Sequence, residues 1–254
     1  MNIAIILAGG VGTRVGAEIP KQYIKILGKP VMVYTLEKFE KNPNIDAIEI
    51  VCIKGHVPYV KDLVKEYGIT KVKWYSEGGS TFQESTMNGI FDLKDKVSSD
   101  DVVLIQFAVS PMITDEIIND SIRVCKQHGI AIAGDEMIMC TCIKDDEYSS
   151  STSILRETLV GLNAPWTFRY DVVCSAYEEG IQKNILDGLE PHTTSLFFAL
   201  GKKIYFSKSA TNNIKITRKE DLDLFEGYLL LQEKRRRSND IKFNGGELSG
   251  EGNK

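Results

Sequence analysis

Glycines and two cationic side chains lie close together near the start of the chain. Residues 7–14 read Leu-Ala-Gly-Gly-Val-Gly-Thr-Arg, and Lys21 follows in the segment Pro-Lys-Gln-Tyr at residues 20–23. Glycines directly after a buried strand let the backbone approach a ligand, so that successive N–H groups can point at one anion. Arg14 can bind two phosphate oxygens through its planar guanidinium, and Lys21 can place a mobile charge on the phosphate that transfers or leaves. The pattern predicts a triphosphate-binding loop whose candidate residues are Leu7, Ala8, Gly9, Gly10, Gly12 and Thr13.

Other interpretations of this loop are a plain tight turn and a dinucleotide-binding turn. The glycine spacing is not G-x-G-x-x-G, and no acidic residue closes the next strand where a ribose contact would be expected. The spacing also differs from the G-x-x-x-x-G-K-[ST] phosphate loop. These differences favour a nucleotidyltransferase type of loop, with a plain tight turn as the simplest alternative.

Strands and helices that alternate along the chain must position this loop. The hydrophobic pattern predicts strands at residues 2–7, 45–53, 71–75, 101–106 and 130–133, and helices at residues 30–41, 59–67, 80–93 and 114–128. This alternation predicts an α/β fold with a doubly wound, mostly parallel sheet. Because ligands of such sheets bind beyond the carboxyl ends of the strands, the loops after Leu7, Tyr75 and Ile105 should share one rim.

The rest of the chain is predicted to complete a single domain at residues 1–237. The alternation of apolar strands and helices stops near Met137, and a polar run follows at residues 144–152. This change indicates a projecting arm at about residues 137–160. The segment Thr-Arg-Lys-Glu at residues 217–220 is typical of a capping box that opens a last helix. Residues 238–254 are polar and glycine-rich, which predicts a flexible tail.

Composition and charge exclude several functional classes. The 254 residues include 31 basic and 35 acidic side chains, a net charge of −4, so no global positive field would attract nucleic acid. No apolar run approaches the length of about 18 residues that a membrane span needs, and the start lacks a secretion-signal pattern. We therefore expect a cytoplasmic protein that binds neither nucleic acid nor membrane.

The cysteines indicate reduced thiols, because their number, five, is odd and most have apolar neighbours. Cys140 and Cys142 form an isolated C-x-C pair. A metal site would need further ligands, so the pair is interpreted as two core residues on one face of a strand. No metal ligand is assigned.

Four segments together resemble the cytidylyltransferases that act on polyol phosphates. They are residues 6–14 (Ile-Leu-Ala-Gly-Gly-Val-Gly-Thr-Arg), 20–23, 34–39 (Tyr-Thr-Leu-Glu-Lys-Phe) and 109–114 (Val-Ser-Pro-Met-Ile-Thr). The family includes methylerythritol-phosphate enzymes and ribitol-5-phosphate enzymes, and the chain is more similar to the second group. The similarity runs from residue 3 to about residue 230, and the first segment is its most specific part.

The resemblance implies a Rossmann-like nucleotidyltransferase fold and roles for individual residues. Main chain near Ala8 to Gly10 would form the cytosine and ribose pocket together with Gly78, Gly79, Ser80 and Ser85. The cations implied to bind the triphosphate of CTP and the acceptor phosphate are Arg14, Lys21 and Lys215. Mg²⁺ is expected as a cofactor held mainly by the CTP phosphates.

The resemblance also implies a partner subunit. Thr141 and Arg156 match a pair that the arm of a neighbouring subunit supplies to the acceptor phosphate. The arm would therefore join two copies into a homodimer.

The chain departs from the family on the acceptor side. The family's fourth strand ends in His-Asp, with Arg-Pro three residues after the Asp, whereas residues 106–111 here read Gln-Phe-Ala-Val-Ser-Pro. An aromatic ring at the position of the carboxylate cannot accept a hydrogen bond, and each unpaired polyol hydroxyl would cost about 1 to 3 kcal/mol. Trp166 and His192 also stand where the family has polar residues. The full set of candidate acceptor-binding residues is Gln106, Phe107, Ser110, Thr141, Arg156, Trp166 and His192.

These observations predict the transfer of CMP from CTP to a small phosphorylated alcohol other than ribitol 5-phosphate or methylerythritol phosphate. Pyrophosphate would be released, and the CDP-linked product would serve as a precursor for a surface polysaccharide or a related polymer. Two alternatives stay open: a sugar-phosphate nucleotidyltransferase that uses another nucleoside triphosphate, and a degenerate family member that binds CTP without turnover. His192 could instead be an ordinary surface or packing histidine.

Overall fold

The computed structural model describes residues 1–10 and 19–244, with side chains described as far as residue 238. The helices are α1 (Val31–Lys41), α2 (Val57–Glu66), α3 (Phe82–Asp92), α4 (Asp115–His128), α5 (Tyr170–Gln182), α6 (Thr193–Ala199) and α7 (Lys219–Asn244). The strands are β1 (Asn2–Ala8), β2 (Lys25–Ile26), β3 (Lys29–Pro30), β4 (Ala47–Cys52), β5 (Val72–Glu77), β6 (Val102–Phe107), β7 (Ile130–Glu136), β8 (Thr141–Ile143), β9 (Thr152–Ile154), β10 (Val160–Arg169) and β11 (Phe206–Ser207). Short 3-10 turns lie at Lys21–Tyr23, Arg156–Thr158 and Leu186–Gly188.

Seven strands form the central sheet in the order β11-β7-β10-β6-β1-β4-β5. The pairings of β1 with β4 and β6, of β4 with β5 and of β7 with β11 are parallel. Only β10 runs antiparallel to its neighbours within this described sheet, since it lies between β6 and β7 with the opposite direction. The predicted mostly parallel sheet is confirmed.

Both faces of the sheet are covered, as the doubly wound prediction requires. Side chains alternate along β1, so that Ile3, Ile5 and Leu7 enter one apolar cluster while Ala4 and Ile6 enter the other. The first cluster packs against α3, α5, α6 and α7, and the second against α1, α2 and α4. A strand buried on both faces has no polar alternation, which explains its continuous apolar sequence.

Local signals set the ends of helix α4 as predicted. The hydroxyl of Thr114 accepts a hydrogen bond from the N–H of Ile117 at the start of the helix, at 3.4 Å. At the other end, Gly129 adopts a left-handed conformation with φ of 79° and its N–H bonds the carbonyl of Cys125. Glycine adopts this conformation without the steric penalty of a Cβ, and the chain turns directly into β7.

The start of α7 differs from the prediction. The carboxylate of Asp221, not that of Glu220, accepts the N–H groups of Thr217 and Arg218, at 2.6 Å and 2.8 Å. The Thr217 hydroxyl donates to the carbonyl of Lys215 and so does not cap the helix. The helix begins at Lys219, so Asp221 is its third residue. A carboxylate at the third position of a helix can reach back to the N–H groups that precede the helix.

Helix α7 also extends past the predicted domain end at residue 237. It continues to Asn244, and the remaining residues of the predicted tail, 245–254, lie outside the described residues. Among residues 1–10 and 19–244, no helix combines the length and the apolar character that crossing a lipid bilayer requires.

The arm between β7 and β10 is a separate two-stranded hairpin of β8 and β9. Its position confirms the predicted arm. Cys140 and Cys142 are both exposed there, so their interpretation as core residues is wrong. The strand to which Cys142 belongs pairs only with β9 among the described strands and does not enter the central sheet, so no second layer covers the two thiols.

Candidate active site

A cavity of about 550 Å³ opens where β1 and β6 end. The loop after β1, the turn after β5 and the end of β6 meet there, which confirms the predicted shared rim. Its lining consists of Leu7, Ala8, Gly9, Gly10, Lys21, Gln22, Gly79, Ser80, Thr81, Phe82, Ser85, Phe107, Val109, Glu190, Pro191, His192, Lys215 and Thr217.

Two glycine-containing segments pack closely against each other on one wall of the cavity. The N–H of Gly78 bonds the carbonyl of Cys52, at 2.7 Å, which fixes this turn to the end of β4. A Cβ added at Gly78 would lie 2.9 Å from the Ser85 hydroxyl oxygen, and one added at Gly9 would lie 3.3 Å from the same atom. A side chain at residue 78 would therefore displace the Ser85 hydroxyl and crowd the carbonyl of Cys52, at 3.2 Å, and there is little room at residue 9.

The Ser85 hydroxyl connects this wall to helix α3. It donates to the carbonyl of Thr81, at 2.9 Å, and accepts the N–H of Gly79, at 3.1 Å. Thr81 and Glu84 form a reciprocal capping box at the start of the same helix. The nucleotide contact of Ser85 stays a prediction, and the structure shows that its hydroxyl holds the glycine turn in place.

Lys21 reaches the cavity from the 3-10 turn after the glycine loop. Its side chain is buried, and Nζ donates to the carbonyl of Ile216 at 2.7 Å. The neighbouring Gln22 donates its amide N–H to the carbonyl of Ala8 at 2.7 Å. These bonds tie the turn to the end of β1 and to the segment that carries Lys215, so both lysines are held at one cavity.

Lys215 lies over two aromatic rings on the opposite side of the cavity. Its Nζ is 3.6 Å from the ring centroid of Phe107 and 5.3 Å from that of Phe82. A cation over an aromatic face is attracted by the negative charge density of the ring. Phe107, where the resemblance implies a carboxylate, thus contacts the ammonium group of Lys215.

The two rings belong to an aromatic cluster with Trp166 and His192. Phe107 meets Trp166 edge to face, at a centroid distance of 5.6 Å, and Phe82 meets Trp166 at 5.9 Å. The imidazole of His192 lies 5.6 Å from Phe82 and 5.4 Å from Trp166. Such edge-to-face contacts fix the ring planes as well as burying area.

The surroundings of His192 favour the neutral form of its imidazole. Burial lowers the pKa of its imidazole, and nearby Lys215 lowers it further, while the carboxylate of Glu190 acts in the opposite direction. The Glu190 carboxylate is 3.5 Å from Nε2. The buried Nδ1 has no hydrogen-bond partner within the described part of the chain.

Three of the predicted acceptor-binding residues lie behind the cavity wall. Gln106, Ser110 and Trp166 are buried and do not line the cavity among the described residues, although their neighbours Phe107 and Val109 do. Alternation along β6 explains Gln106, since successive side chains of a strand point to opposite faces. Trp166 contributes through its contacts with the rings in front of it.

The remaining predicted residues fall either outside the described part of the chain or on the arm. Gly12, Thr13 and Arg14 lie outside the described residues. Thr141 and Arg156 lie on the arm, where the Arg156 guanidinium donates to the carbonyl of Ile138 at 3.2 Å. Neither arm residue lines the cavity of its own chain within the described residues, and their role in a neighbouring subunit stays a prediction.

Several cavity residues were not predicted from the sequence. They are Gln22, Thr81, Phe82, Val109, Glu190, Pro191 and Thr217. Gln22 adjoins Lys21, and Thr81 with Glu84 has the spacing of a capping box, so both carried a usable signal. The sequence around Phe82 and Glu190 gives no indication of a role in the cavity, because only folding brings these two residues beside β6.

The described part of the cavity offers little to a metal ion. Glu190 is the one carboxylate in its lining, and no group of three or more His, Cys, Asp or Glu side chains that could hold a metal occurs among the described residues. Lysine ammonium groups and main-chain N–H groups favour anionic ligands instead. This donor set fits a metal that is bound through the oxygens of a phosphate ligand and water.

The arrangement as a whole suits a nucleotide and a second phosphorylated molecule. Glycine turns supply close main-chain contacts on one wall, two lysines supply positive charge in the middle, and aromatic rings form the far wall. Positioning and charge neutralisation are the main contributions a protein makes to phosphoryl-type transfer.

Comparisons with known proteins agree with this geometry. Residues 2–231 match the family described as 2-C-methyl-D-erythritol 4-phosphate cytidylyltransferase. The chain is 37% identical over 233 residues to a ribitol-5-phosphate cytidylyltransferase of Lacticaseibacillus paracasei, covering 92% of this chain and 100% of the relative. It is 36% identical over 230 residues to a 2-C-methyl-D-erythritol 4-phosphate cytidylyltransferase of Clostridium novyi, covering 90% and 96%.

Solved structures share the fold. The 4-diphosphocytidyl-2C-methyl-D-erythritol synthase from Anaerococcus prevotii superimposes with a TM-score of 0.76 at 23% identity, covering 90% of this chain and 96% of that one. At this identity the likeness establishes the nucleotidyltransferase architecture.

Proposed function

Because this chain belongs to the 2-C-methyl-D-erythritol 4-phosphate cytidylyltransferase family, we propose that it transfers CMP from CTP to a small phosphorylated alcohol other than the two acceptors of the relatives. The chain is a cytidylyltransferase, a type of nucleotidyltransferase, and its acceptors belong to the polyol phosphates. The proposal concerns which member of that class it takes. The observation that carries it is the aromatic side chain of Phe107 at the end of β6, inside the cavity lining.

The reaction follows from the position of the two lysines. An oxygen of the acceptor phosphate attacks the α-phosphorus of CTP in line, and the bond between the α-phosphorus and the bridging oxygen breaks. Pyrophosphate leaves with the electron pair. Lys21 and Lys215 neutralise the charge that spreads over the phosphate oxygens, and no covalent enzyme intermediate is needed. Arg14 is expected to add a third cation.

The far wall of the cavity supports a less hydroxylated acceptor. Phe107, Phe82 and Val109 offer no hydrogen-bond acceptor to a polyol chain, and the Trp166 ring lies directly behind them. A hydroxyl turned towards such a wall loses its hydrogen bonds to water without replacement, at a cost of about 1 to 3 kcal/mol. The imidazole of His192, which lines the cavity beside Phe82, then provides a polar side chain near the distal part of the acceptor.

Mg²⁺ would enter this site with CTP. It disperses the negative charge of the triphosphate, and the donor set described above supports its coordination by phosphate oxygens and water rather than by protein carboxylates. The lysines and main-chain N–H groups of this chain then bind the oxygens that remain.

The proposed function also includes a homodimer, a role for the product and a location in the cell. The exposed apolar side chains of the arm support a homodimer in which Thr141 and Arg156 contact the acceptor bound to the other subunit. A CDP-linked product suits a later transferase that builds a surface polysaccharide or related polymer. Use of CTP, a nucleotide of the cytoplasm, supports a cytoplasmic location.

Pyrophosphate release with a panel of substrates tests the proposal. Purified protein would be supplied with CTP, UTP, ATP or GTP together with ribitol 5-phosphate, 2-C-methyl-D-erythritol 4-phosphate or glycerol phosphates, and with amino-alcohol phosphates as acceptors from outside the polyol class. We expect release with CTP and a small, less hydroxylated acceptor, and at least tenfold lower kcat/KM with the two larger polyol phosphates. Preferred turnover of ribitol 5-phosphate would contradict the proposed acceptor, and preferred use of UTP would contradict the proposed base.

A further inference from the structure

Two exposed thiols stand on either side of Thr141 at the start of strand β8. Cys140 and Cys142 are both exposed, whereas Cys52 and Cys125 are buried. Burial raises the pKa of each buried thiol to about 12, which keeps these two groups in the less reactive thiol form. The most accessible thiols of the chain therefore occur as a pair that a single residue separates.

Cys142 faces away from the side on which Thr141 is expected to act. Successive side chains of a strand point to opposite faces, so the Cys142 thiol lies on the other face of the hairpin from the Thr141 hydroxyl. Thr141 is the residue expected to contact the acceptor bound to a neighbouring subunit. A subunit that receives Thr141 would therefore meet the face of β8 opposite to the Cys142 thiol.

The backbone that leads into Cys140 anchors both arm residues implied to bind the acceptor phosphate. The Thr141 hydroxyl donates to the carbonyl of Met139 at 3.2 Å. The Arg156 guanidinium donates to the carbonyl of Ile138, also at 3.2 Å. A movement of this short backbone segment would therefore displace both side chains together.

A disulfide between the two thiols favours such a movement. Thr141 is extended in β8, and an extended residue separates the Cα atoms on either side of it by about 6.6 Å. The commonest Cα separation across a disulfide is shorter, about 5.5 to 6 Å. Ring closure would thus bend the strand at Thr141. Strand β8 has three residues and pairs only with β9 among the described strands, so little packing resists the bend.

We propose that Cys140 and Cys142 form a dithiol modification site, which a low-molecular-weight disulfide oxidises and which in its oxidised form withdraws Thr141 and Arg156 from the acceptor. Disulfides in cytoplasmic proteins are usually transient and redox-sensing, so the oxidised form is expected to be reversible. The effect on the acceptor rests on the proposed function, whereas the oxidation itself does not.

The oxidation is a thiol–disulfide exchange in two steps. The thiolate of one cysteine attacks a sulfur of the small disulfide, whose S–S bond breaks and releases one small thiolate. The thiolate of the other cysteine then attacks the protein-bound sulfur, the mixed disulfide breaks, and the second small thiolate leaves. Two electrons pass from the protein to the small disulfide, and the two thiol protons end on the released small thiols.

Peptide mapping after exposure to oxidised glutathione tests the site without any substrate. Trypsin releases residues 127–144 as one peptide, which carries Cys140 and Cys142 and no other cysteine. After treatment of the full chain, this peptide should be lighter by two hydrogens and resist alkylation, and dithiothreitol should restore both thiols. C142S should instead carry one glutathione on Cys140. Stable glutathione adducts on both wild-type thiols, a disulfide between two copies of the chain, or two unchanged thiols would each overturn the proposal.

Kinetics of the oxidised protein test the consequence. The acceptor KM should rise by about tenfold, as expected when a hydrogen bond to a charged phosphate is withdrawn, while the Kd for CTP stays within about twofold. Dithiothreitol should reverse the rise. The double variant Cys140→Ser, Cys142→Ser should match the reduced wild-type protein and ignore oxidised glutathione, whereas C174S, which removes a half-buried thiol, should still respond. Equal acceptor KM values for the oxidised and reduced forms would refute the withdrawal of Thr141.

A resonance measurement keeps this inference separate from the proposed function. The methyl signal of Thr141, identified by its loss in T141S, should move when the wild-type protein is oxidised and stay in place in the double serine variant. If no acceptor supports pyrophosphate release, the proposed function fails, while the peptide map still decides the dithiol and the methyl signal still decides the movement. A Thr141 signal that oxidation leaves unchanged would refute the bend in β8.

Discussion

At the scale of single residues, Lys21 is the one lysine or arginine that is buried among the described residues. Its ammonium donates to the carbonyl of Ile216 in a buried setting and also lines the cavity, so a change there should alter both charge and geometry. A preorganised donor of this kind is most valuable when charge develops in the transition state.

Replacing Lys21 with methionine should lower the rate strongly. Removing one preorganised donor typically costs about 10² to 10³ in kcat, and we expect K21M to fall in that range. The measurement is pyrophosphate release at saturating CTP. K25M, which removes an exposed lysine a few residues further on, is the matched control and should stay close to wild type. A K21M protein that unfolds at the wild-type temperature and retains its rate would exclude Lys21 from catalysis.

At the scale of helices and strands, the buried parallel part of the fold was predictable. Strands β4 and β6 are mostly apolar and buried throughout, β1 is apolar after its first residue, and α4 has clear signals at both ends, so composition and spacing identified them. Strand β10 was not predicted. The register of β10 against β7 shifts between Asn163 and Trp166, around Pro165, which interrupts the regular strand pattern. The hydrophobic pattern alone also does not predict the direction in which a strand runs.

The candidate site was predictable only in part, for a related reason. The glycine loop and Lys21 adjoin β1 in the sequence, so their meeting follows from one strand and its loop. The contact of Lys215 with Phe107 and Phe82 joins three distant segments, and only packing brings them together. An aromatic residue at the end of β6 could be recognised as a departure from the family, but not as a support for a cation.

The burial of Glu49 on strand β4 makes the free energy of unfolding depend on pH. This residue is fully buried on β4, accepts a hydrogen bond from the Ser76 hydroxyl at 2.6 Å, and its other oxygen has no partner among the described residues. Burial raises the pKa of its carboxyl to about 8, and the charge of Asp92 adds to this, while the Ser76 bond and Lys96 act against it. The folded chain therefore binds a proton that the unfolded chain releases near pH 4.5.

The sign of the effect follows from that difference. Between about pH 4.5 and 8 the native state holds more protons than the unfolded state, so the free energy of unfolding falls as pH rises through this window. We expect Glu49→Gln, which stays neutral, to reduce this loss by about 2 to 4 kcal/mol. Urea unfolding at pH 5, 6.5 and 8 measures the free energy of unfolding of the wild-type protein and the variant. Glu66→Gln, at an exposed position, is the control, and a Glu49→Gln profile parallel to that of wild type would disprove the idea.

At the scale of the whole molecule, the packing of a single chain does not explain why the arm exposes apolar side chains. The arm carries exposed apolar side chains on a hairpin that is separate from the central sheet. They are Ile138, Met139, Ile143, Tyr148 and Leu155. Exposed apolar side chains concentrated on one arm are consistent with the homodimer proposed above. The arm residues expected to contact the acceptor lie on the same hairpin, so assembly and activity should depend on each other.

Charged substitutions on the arm should therefore separate assembly from nucleotide binding. We expect the wild-type protein to be a dimer by light scattering, and the double variant Ile138→Asp, Met139→Asp to be a monomer, because burying two carboxylates in an apolar interface is unfavourable. CTP affinity should remain within about twofold of wild type, while KM for the acceptor rises by tenfold or more, since Arg156 would no longer reach the other subunit. Leu224→Asp, which places a carboxylate at an exposed apolar position on α7, should leave both assembly and KM unchanged. A monomeric arm variant with unaltered acceptor KM would show that each cavity is complete within its own chain.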